Sequence, residues 1–325
     1  MIEDLRQQLW SKSFDMLPVY HASIEDLDSK KIDDFLKTRK GFTLAHSRDA
    51  LLLSYHLKVE EHGHYYPTGA GILAFGKNPQ QFFPQAFIIC SHFEGISGRN
   101  AFASQDCTGT VIEQFYQAYN FIVNRLSKSF TIKGPKRIEE LELPQEAIRE
   151  ILVNAIVHRS YNIQAPTKIA IFDNRVEIFT PGNFPGPITI ANLCAGLTYI
   201  RNTALAKILR HAGLIETLGT GFQTLFESYA QKELPTPEVI EGENYVKCIL
   251  PRRSASHNGR QAHNLDSDAQ RILHLFVSGH EISMAAILKN TNLARATAGR
   301  KLKQLIEQGF IKQIGVGKVT RYIKN

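Results

Sequence analysis

Pro144-Gln145-Glu146-Ala147-Ile148-Arg149-Glu150-Ile151-Leu152-Val153-Asn154-Ala155-Ile156-Val157-His158 decides how the rest of the chain is read. Proline in front, with Gln145 and Glu146 in the first turn, opens a helix. Ile148, Ile151, Leu152, Val153, Ala155, Ile156 and Val157 then make it apolar nearly all round, so it should be buried. Glu150, Asn154 and His158 break that rule at i, i+4 and i+8, in one line along one face. A carboxylate, an amide and an imidazole buried without partners would cost several kcal/mol together. The line calls for something polar alongside it: a ligand, a metal ion or a partner network. A satisfied structural network or a wet edge is the bland alternative.

Two glycine sites lie downstream. Thr167 to Thr180 alternates apolar and polar residues around Asp173-Asn174, a hairpin signal, and ends at Pro181-Gly182-Asn183-Phe184-Pro185-Gly186. Leu218-Gly219-Thr220-Gly221-Phe222 runs straight into an amphipathic pattern of Phe222, Leu225, Phe226 and Tyr229. A glycine turn at a helix N-terminus presents unpaired amides to an anion. Alone it is weak evidence; beside a polar line on a buried helix it is stronger.

Upstream, Gly71-Ile72-Leu73-Ala74-Phe75 and Ala86-Phe87-Ile88-Ile89-Cys90 suit strands. Thr108 to Ser127 carries apolar residues at helical spacing. Ile132-Lys133-Gly134-Pro135-Lys136 punctuates the chain, and residues 1–65 read as short helices, one opened by Ser23. Gly71-x4-Gly76-Lys77-Asn78 nearly matches a phosphate-binding loop. Its variable positions read as a strand, however, and Asn78 replaces the hydroxyl that would bind magnesium.

The chain has 325 residues, 43% hydrophobic and 21% charged, a globular composition large enough for two or three domains. No apolar run approaches the ~20 residues of a membrane-spanning helix, and Met1-Ile2-Glu3-Asp4 is unlike a signal peptide. Cys90, Cys107, Cys194 and Cys248 show no CxxC spacing. A cytoplasmic location without membrane contact is therefore expected.

Charge is unevenly placed. Residues 252–325 carry 13 Lys+Arg and 4 Asp+Glu, a net of +9, while the preceding 251 carry −2. Arg252 to Gln261 reads as a linker, and residues 265–325 read as a winged helix-turn-helix. Helices are expected over Asp268–Ser278, after Ser283 and over Ala294–Gln308, then a two-stranded wing tipped by Gly315-Val316-Gly317. Arg295, Thr297, Arg300 and Lys301 would meet the major groove of double-stranded DNA, and Lys318 and Arg321 the phosphates beside it. Use of the module for protein contacts is the alternative.

Glu150-x3-Asn154-Ala155-x2-His158, a strand hairpin, Thr180-Pro181-Gly182 and Gly219-Thr220-Gly221 before a helix together resemble the GHKL, or Bergerat-fold, ATP-binding module. That module occurs in gyrase, heat-shock chaperones, histidine kinases and mismatch-repair ATPases. The chain is more closely similar to a bacterial family of transcriptional regulators labelled ATP-dependent DNA helicase-related. The matching blocks include Val153 to Tyr161, Phe172 to Ile178, Arg201-Asn202 and Gly213 to Glu216. The resemblance implies an α/β (α+β) sandwich binding ATP with Mg2+. It implies Asn154 on the magnesium, Glu150 on the attacking water, Gly182 against adenine, Gly219, Thr220 and Gly221 at the phosphates, and Arg201 and Asn202 near a lid. His158 and Thr180 complete the expected nucleotide site. Thr180 stands where GHKL enzymes use aspartate. Family members usually also carry an upstream Schlafen-AlbA-type domain, and the sequence seems to begin just after it.

The expected domains are a helical segment 1–65, an α/β segment 66–139, the ATP-binding module 140–251, a linker 252–264 and the winged helix 265–325. The expected function is an ATP-responsive DNA-binding regulator, with a homodimer as the candidate assembly. The alternatives are an ATPase with a conformational cycle or a degenerate GHKL fold serving as an interaction platform.

Overall fold

The computed structural model describes residues 13–38, 48–98, 101–133, 136–195, 197, 199–215, 221–253, 267–273, 275–276, 281–291, 293–307, 310–315 and 320–324. Two compact units divide the chain, Met1–Arg253 and Ser254–Asn325.

The first unit opens with helices α1 (Ser29–Lys37) and α2 (Arg48–Ser54), a hairpin of β1 (Lys58–Glu61) and β2 (His64–Pro67), and helices α3 (Gly69–Phe75) and α4 (Pro79–Phe82). Then come β3 (Ile88–Phe93), β4 (Ala101–Cys107), α5 (Val111–Val123) and a second hairpin, β5 (Lys128–Lys133) with β6 (Lys136–Leu141). Helix α6 (Gln145–Val157) leads to β7 (Thr167–Ile171), β8 (Arg175–Pro181), α7 (Thr203–His211), α8 (Gly221–Gln231), β9 (Glu238–Glu241) and β10 (Tyr245–Pro251).

Six strands form one sheet in the order β4-β3-β7-β8-β10-β9. β3 and β7 run parallel and the other pairs antiparallel. Strand alternation gives the sheet two unlike faces. Ile169, Ile171, Val176, Ile178, Cys248 and Leu250 are buried on the inner face, in the same core as α6 and α8. On the outer face Glu177 pairs with Arg175 and Lys247, and Phe179 stacks on Tyr245. The architecture is mixed α/β: one sheet with helices over one side.

Several local expectations hold. Thr110 and Glu113 form a capping box at the start of α5. Helix α6 begins directly after Pro144 and ends at His158. The hairpin turns at Asp173-Asn174, and Ser23 opens a short 3-10 helix through a capping box.

Others need correcting. Gly71–Phe75 is not a strand but the body of α3, whose residues are all buried. The two glycines of the loop-like motif serve packing. A Cβ on Gly71 would sit 2.2 Å from the Leu57 carbonyl oxygen, and one on Gly76 2.5 Å from that of Ile72. Residues 1–65 are not helical throughout, because β1 and β2 pair across His62-Gly63, both at positive φ. Arg252 is not linker. It is buried, donating to the Phe172 carbonyl at 2.6 Å and pairing with Glu142 at 2.7 Å. The linker beyond Arg253, residues 254–264, lies outside the described residues.

The second unit contains α9 (Ser267–Leu273), β11 (Ile282–Ser283), α10 (Met284–Thr291), α11 (Arg295–Glu307), β12 (Ile311–Ile314) and β13 (Arg321–Lys324). Its strands form an antiparallel sheet ordered β11-β13-β12. Ala269, Ile272, Ile287, Ala298, Leu302 and Leu305 supply a separate core. Ser283 caps α10, accepting from the Ala286 amide at 3.2 Å. Asn290 and Thr291, read as a turn, instead close α10, where Thr291 donates to the Ile287 carbonyl. The expected wing tip is described only at Gly315. No described helix is long and apolar enough to cross a membrane.

Candidate functional site

Helix α6 is buried on nearly every side, and the stripe read from its sequence survives folding: Glu150, Asn154 and His158 are only half-buried. At 1.5 Å per residue the stripe is about 12 Å long. It lines a cavity enclosing about 1060 Å³ of space, part of it open to solvent. The opposite wall comes from Ile178 and Thr180 on β8 and Val246 and Cys248 on β10, with Gly221 and Phe222 at the start of α8. Phe184, Leu193, Leu197 and Tyr199 line it from the connection between β8 and α7. Phe184 and Phe222 meet edge to face, ring centres 6.4 Å apart.

The two ends of the stripe differ. At the α8 end, Asn154 Nδ2 donates to Glu150 Oε1 at 3.0 Å. This fixes the amide's orientation, so its Oδ1 points the other way and makes no hydrogen bond among the described residues. Gly221 packs directly on the pair: a Cβ there would stand 1.8 Å from Glu150 Oε1 and 3.3 Å from Asn154 Nδ2. Only glycine lets α8 begin so close to the carboxylate.

At the other end, His158 closes α6 and its buried Nδ1 has no partner among the described residues. Burial, and then the positive charge of Arg201, push the imidazole down to about 4, so the ring is neutral near pH 7. Gly182 follows Thr180 at φ +106° and lies against Ser160, 2.8 Å from where its Cβ would be. The Ser160 amide donates to the Pro181 carbonyl at 2.8 Å, so the Pro-Gly turn is laced to the chain just beyond α6. Cys248 is buried, which pushes its thiol up to about 12 and keeps it protonated.

Arg201 and Asn202 stand behind this wall rather than on it. Arg201 Nε donates to the His158 carbonyl at 2.9 Å and a terminal nitrogen to the Asn183 carbonyl at 2.5 Å. Asn202 is wholly buried, donating to the Val157 and Arg159 carbonyls at 2.8 Å each. These two residues bind the end of α6 to the Pro-Gly turn and to α7; neither lines the cavity. Sequence reasoning misses Arg149 as a clamp. It holds the turn after α7 through the Gly213 and Leu214 carbonyls, and its place beside the stripe is the available signal. Gly219 and Thr220 lie outside the described residues.

Residues 164–250 match the family model described as "Putative ATP-dependent DNA helicase recG C-terminal". This is an ATPase-type domain, and it supports nucleotide binding in the broad sense. The match begins after α6, so Glu150, Asn154 and His158 lie outside it, while Thr180, Gly182 and the glycine turn before α8 lie within it. With the sheet and its one-sided helices, it fits an α/β fold of the GHKL type. A crystal structure of the DIP2311 protein from Corynebacterium diphtheriae is similar, with a TM-score of 0.60 and 18% identity over 98% of this chain. The chain spans 66% of that structure's length. No curated protein matches.

Among the described residues no group of three or more His, Cys, Asp or Glu side chains is placed to hold a metal ion. That agrees with magnesium rather than zinc chemistry. Magnesium keeps several waters and takes one or two protein oxygens, with phosphates supplying the rest. The outward Oδ1 of Asn154, beside a carboxylate and the small opening kept by Gly221, is a fitting oxygen set.

In the second unit Arg295, Arg300 and Arg321 are placed on α11 and β13, with Ala298, Leu302 and Leu305 turned into the core. Arg295 and Arg321 are exposed, and Thr297, Arg300 and Lys301 lie on the same helix or strand as the residues predicted to meet DNA. Lys318 lies outside the described residues.

Proposed function

We propose that the chain binds ATP with Mg2+ in the α6–α8 cavity and that its basic second unit is a winged helix that binds double-stranded DNA, making the protein a nucleotide-responsive DNA-binding regulator. The observation that carries the nucleotide reading is the Glu150–Asn154 pair facing the glycine start of α8 across an otherwise apolar cavity. Asn154 offers one oxygen to the cation. The α8 amides face the phosphates, as helix N-termini do for anions. No described Lys or Arg lines the cavity, so neutralising phosphate charge falls to the cation and to those amides. A magnesium ion bound at Asn154 supplies that neutralisation and draws the phosphate oxygens into order.

The DNA reading rests on the +9 net charge of residues 252–325. It rests equally on three helices and an antiparallel sheet that carry Arg295 and Arg300 near the start of the third helix. This is the region where such modules meet the major groove.

A second reading, an ATPase with a conformational cycle, is favoured by the position of Glu150. Its carboxylate is held by Asn154 beside the phosphate end, where it could take a proton from an attacking water. Calorimetric titration with Mg–ATP tests the site: Asn154→Ala should abolish the binding seen in the wild type, and equal affinity would overturn the assignment. Turnover that disappears in Glu150→Ala would favour the ATPase reading. Binding without measurable turnover in either protein favours the sensor.

A further inference from the structure

The end of the cavity away from Glu150 is as informative as the stripe. β8 and β10 pair Ile178 with Cys248 and Thr180 with Val246, and all four side chains line the cavity. Gly182 holds the chain against Ser160, which places Thr180 near the His158 end of α6. The polar groups at this end are uncharged near pH 7: the Thr180 hydroxyl, a neutral His158 ring and a protonated Cys248 thiol. The Thr180 hydroxyl makes no hydrogen bond among the described residues. Around it stand apolar surfaces, Ile178 and Val246 on the sheet and Val153 and Val157 on α6.

We infer that this end is a purine slot that accepts adenine and guanine alike, with Thr180 as the group that meets the ring's six-position substituent. The inference rests on the proposed nucleotide binding and adds the substrate class. Adenine presents an amino donor at that position and guanine a carbonyl acceptor. A carboxylate only accepts hydrogen bonds, so it would favour the amino group and leave a buried charge facing the carbonyl. A hydroxyl rotates to donate or accept and meets either. Strong rejection of an analogue requires a site whose buried polar group is left unpaired by it, and a hydroxyl that suits both bases creates no such penalty. The apolar walls grip the purine faces and so favour the larger rings over a pyrimidine.

The test is competition of ATP, GTP and CTP, each with Mg2+, against a fluorescent ATP analogue on the full chain. ATP and GTP should compete within roughly tenfold of each other and CTP more weakly than either. Thr180→Asp should raise the preference for ATP over GTP to roughly a hundredfold, by leaving a carboxylate opposite the guanine carbonyl. Thr180→Val, which keeps the shape, should weaken both purines by similar factors. A wild type that prefers ATP over GTP by roughly a hundredfold, or a Thr180→Val that alters their ratio, would overturn the inference while the nucleotide site stood. Absence of any nucleotide binding would overturn the site itself and the inference with it.

Discussion

Gly221→Ala is the sharpest perturbation of the stripe, because a single added carbon meets the proposed chemistry directly. The new methyl would lie 1.8 Å from Glu150 Oε1, where ordinary contact starts near 3.4 Å, so the carboxylate must retreat by about 1.6 Å. It sits at the end of a flexible side chain and has room to move, which keeps the fold intact. Alanine at the first residue of α8 also favours the helix by up to about 1 kcal/mol over glycine. What is lost is the 3.0 Å hydrogen bond that orients Asn154. A hydrogen bond to a charged group is worth about 1.5–3 kcal/mol. The affinity for Mg–ATP should therefore fall by about tenfold or more, while the melting temperature stays within about 2 °C of the wild type. Calorimetric titration alongside a thermal melt separates the two effects. Unchanged affinity in a folded Gly221→Ala protein would refute the reasoning, and so would an unfolded protein, since the strain falls on the site alone.

The same geometry yields other outcomes. Asn202→Ala removes two hydrogen bonds buried at the end of α6, so it should destabilise the first unit by about 2–4 kcal/mol, read as a lower urea midpoint. His158 is neutral in the fold and titrates near 4, against about 6.5 unfolded. Between those values the unfolded state holds more protons, so stability should drop by up to about 3 kcal/mol as pH falls from 6.5 to 4. His158→Gln should lack that share of the loss, and identical pH profiles would count against it. Replacing Arg300 and Lys301 with alanine should weaken DNA binding and shallow its dependence on log salt by about two. An unaltered slope in a filter-binding or anisotropy titration would remove that surface from the contact.

The first unit's site is largely legible in the sequence because its signals are local. Helix α6 announces itself through Pro144 and a run of apolar residues, and its polar exceptions fall at i+4 spacing, which sets side chains in one line along a helix. Distant contacts are not legible. The resemblance puts Arg201 and Asn202 near a lid, yet their polar groups are taken up by backbone carbonyls of residues up to 45 positions away in the chain. Nothing local distinguishes a ligand contact from such a clamp. Helix α3 is hard to read for a related reason. Gly69–Phe75 is buried on all sides, so it shows no period by which a helix could be told from a buried strand. The β1–β2 hairpin has a readable signal in His62-Gly63 between alternating residues, a two-residue turn with both residues at positive φ.

A crystal structure of the chain grown with Mg2+ and a non-hydrolysable ATP analogue tests the central claim most directly. The account predicts phosphates between Asn154 and the start of α8, a magnesium ion on Asn154 Oδ1 and the purine against Thr180. An analogue bound elsewhere, or a cavity between α6 and α8 holding only solvent at saturating ligand, would contradict it.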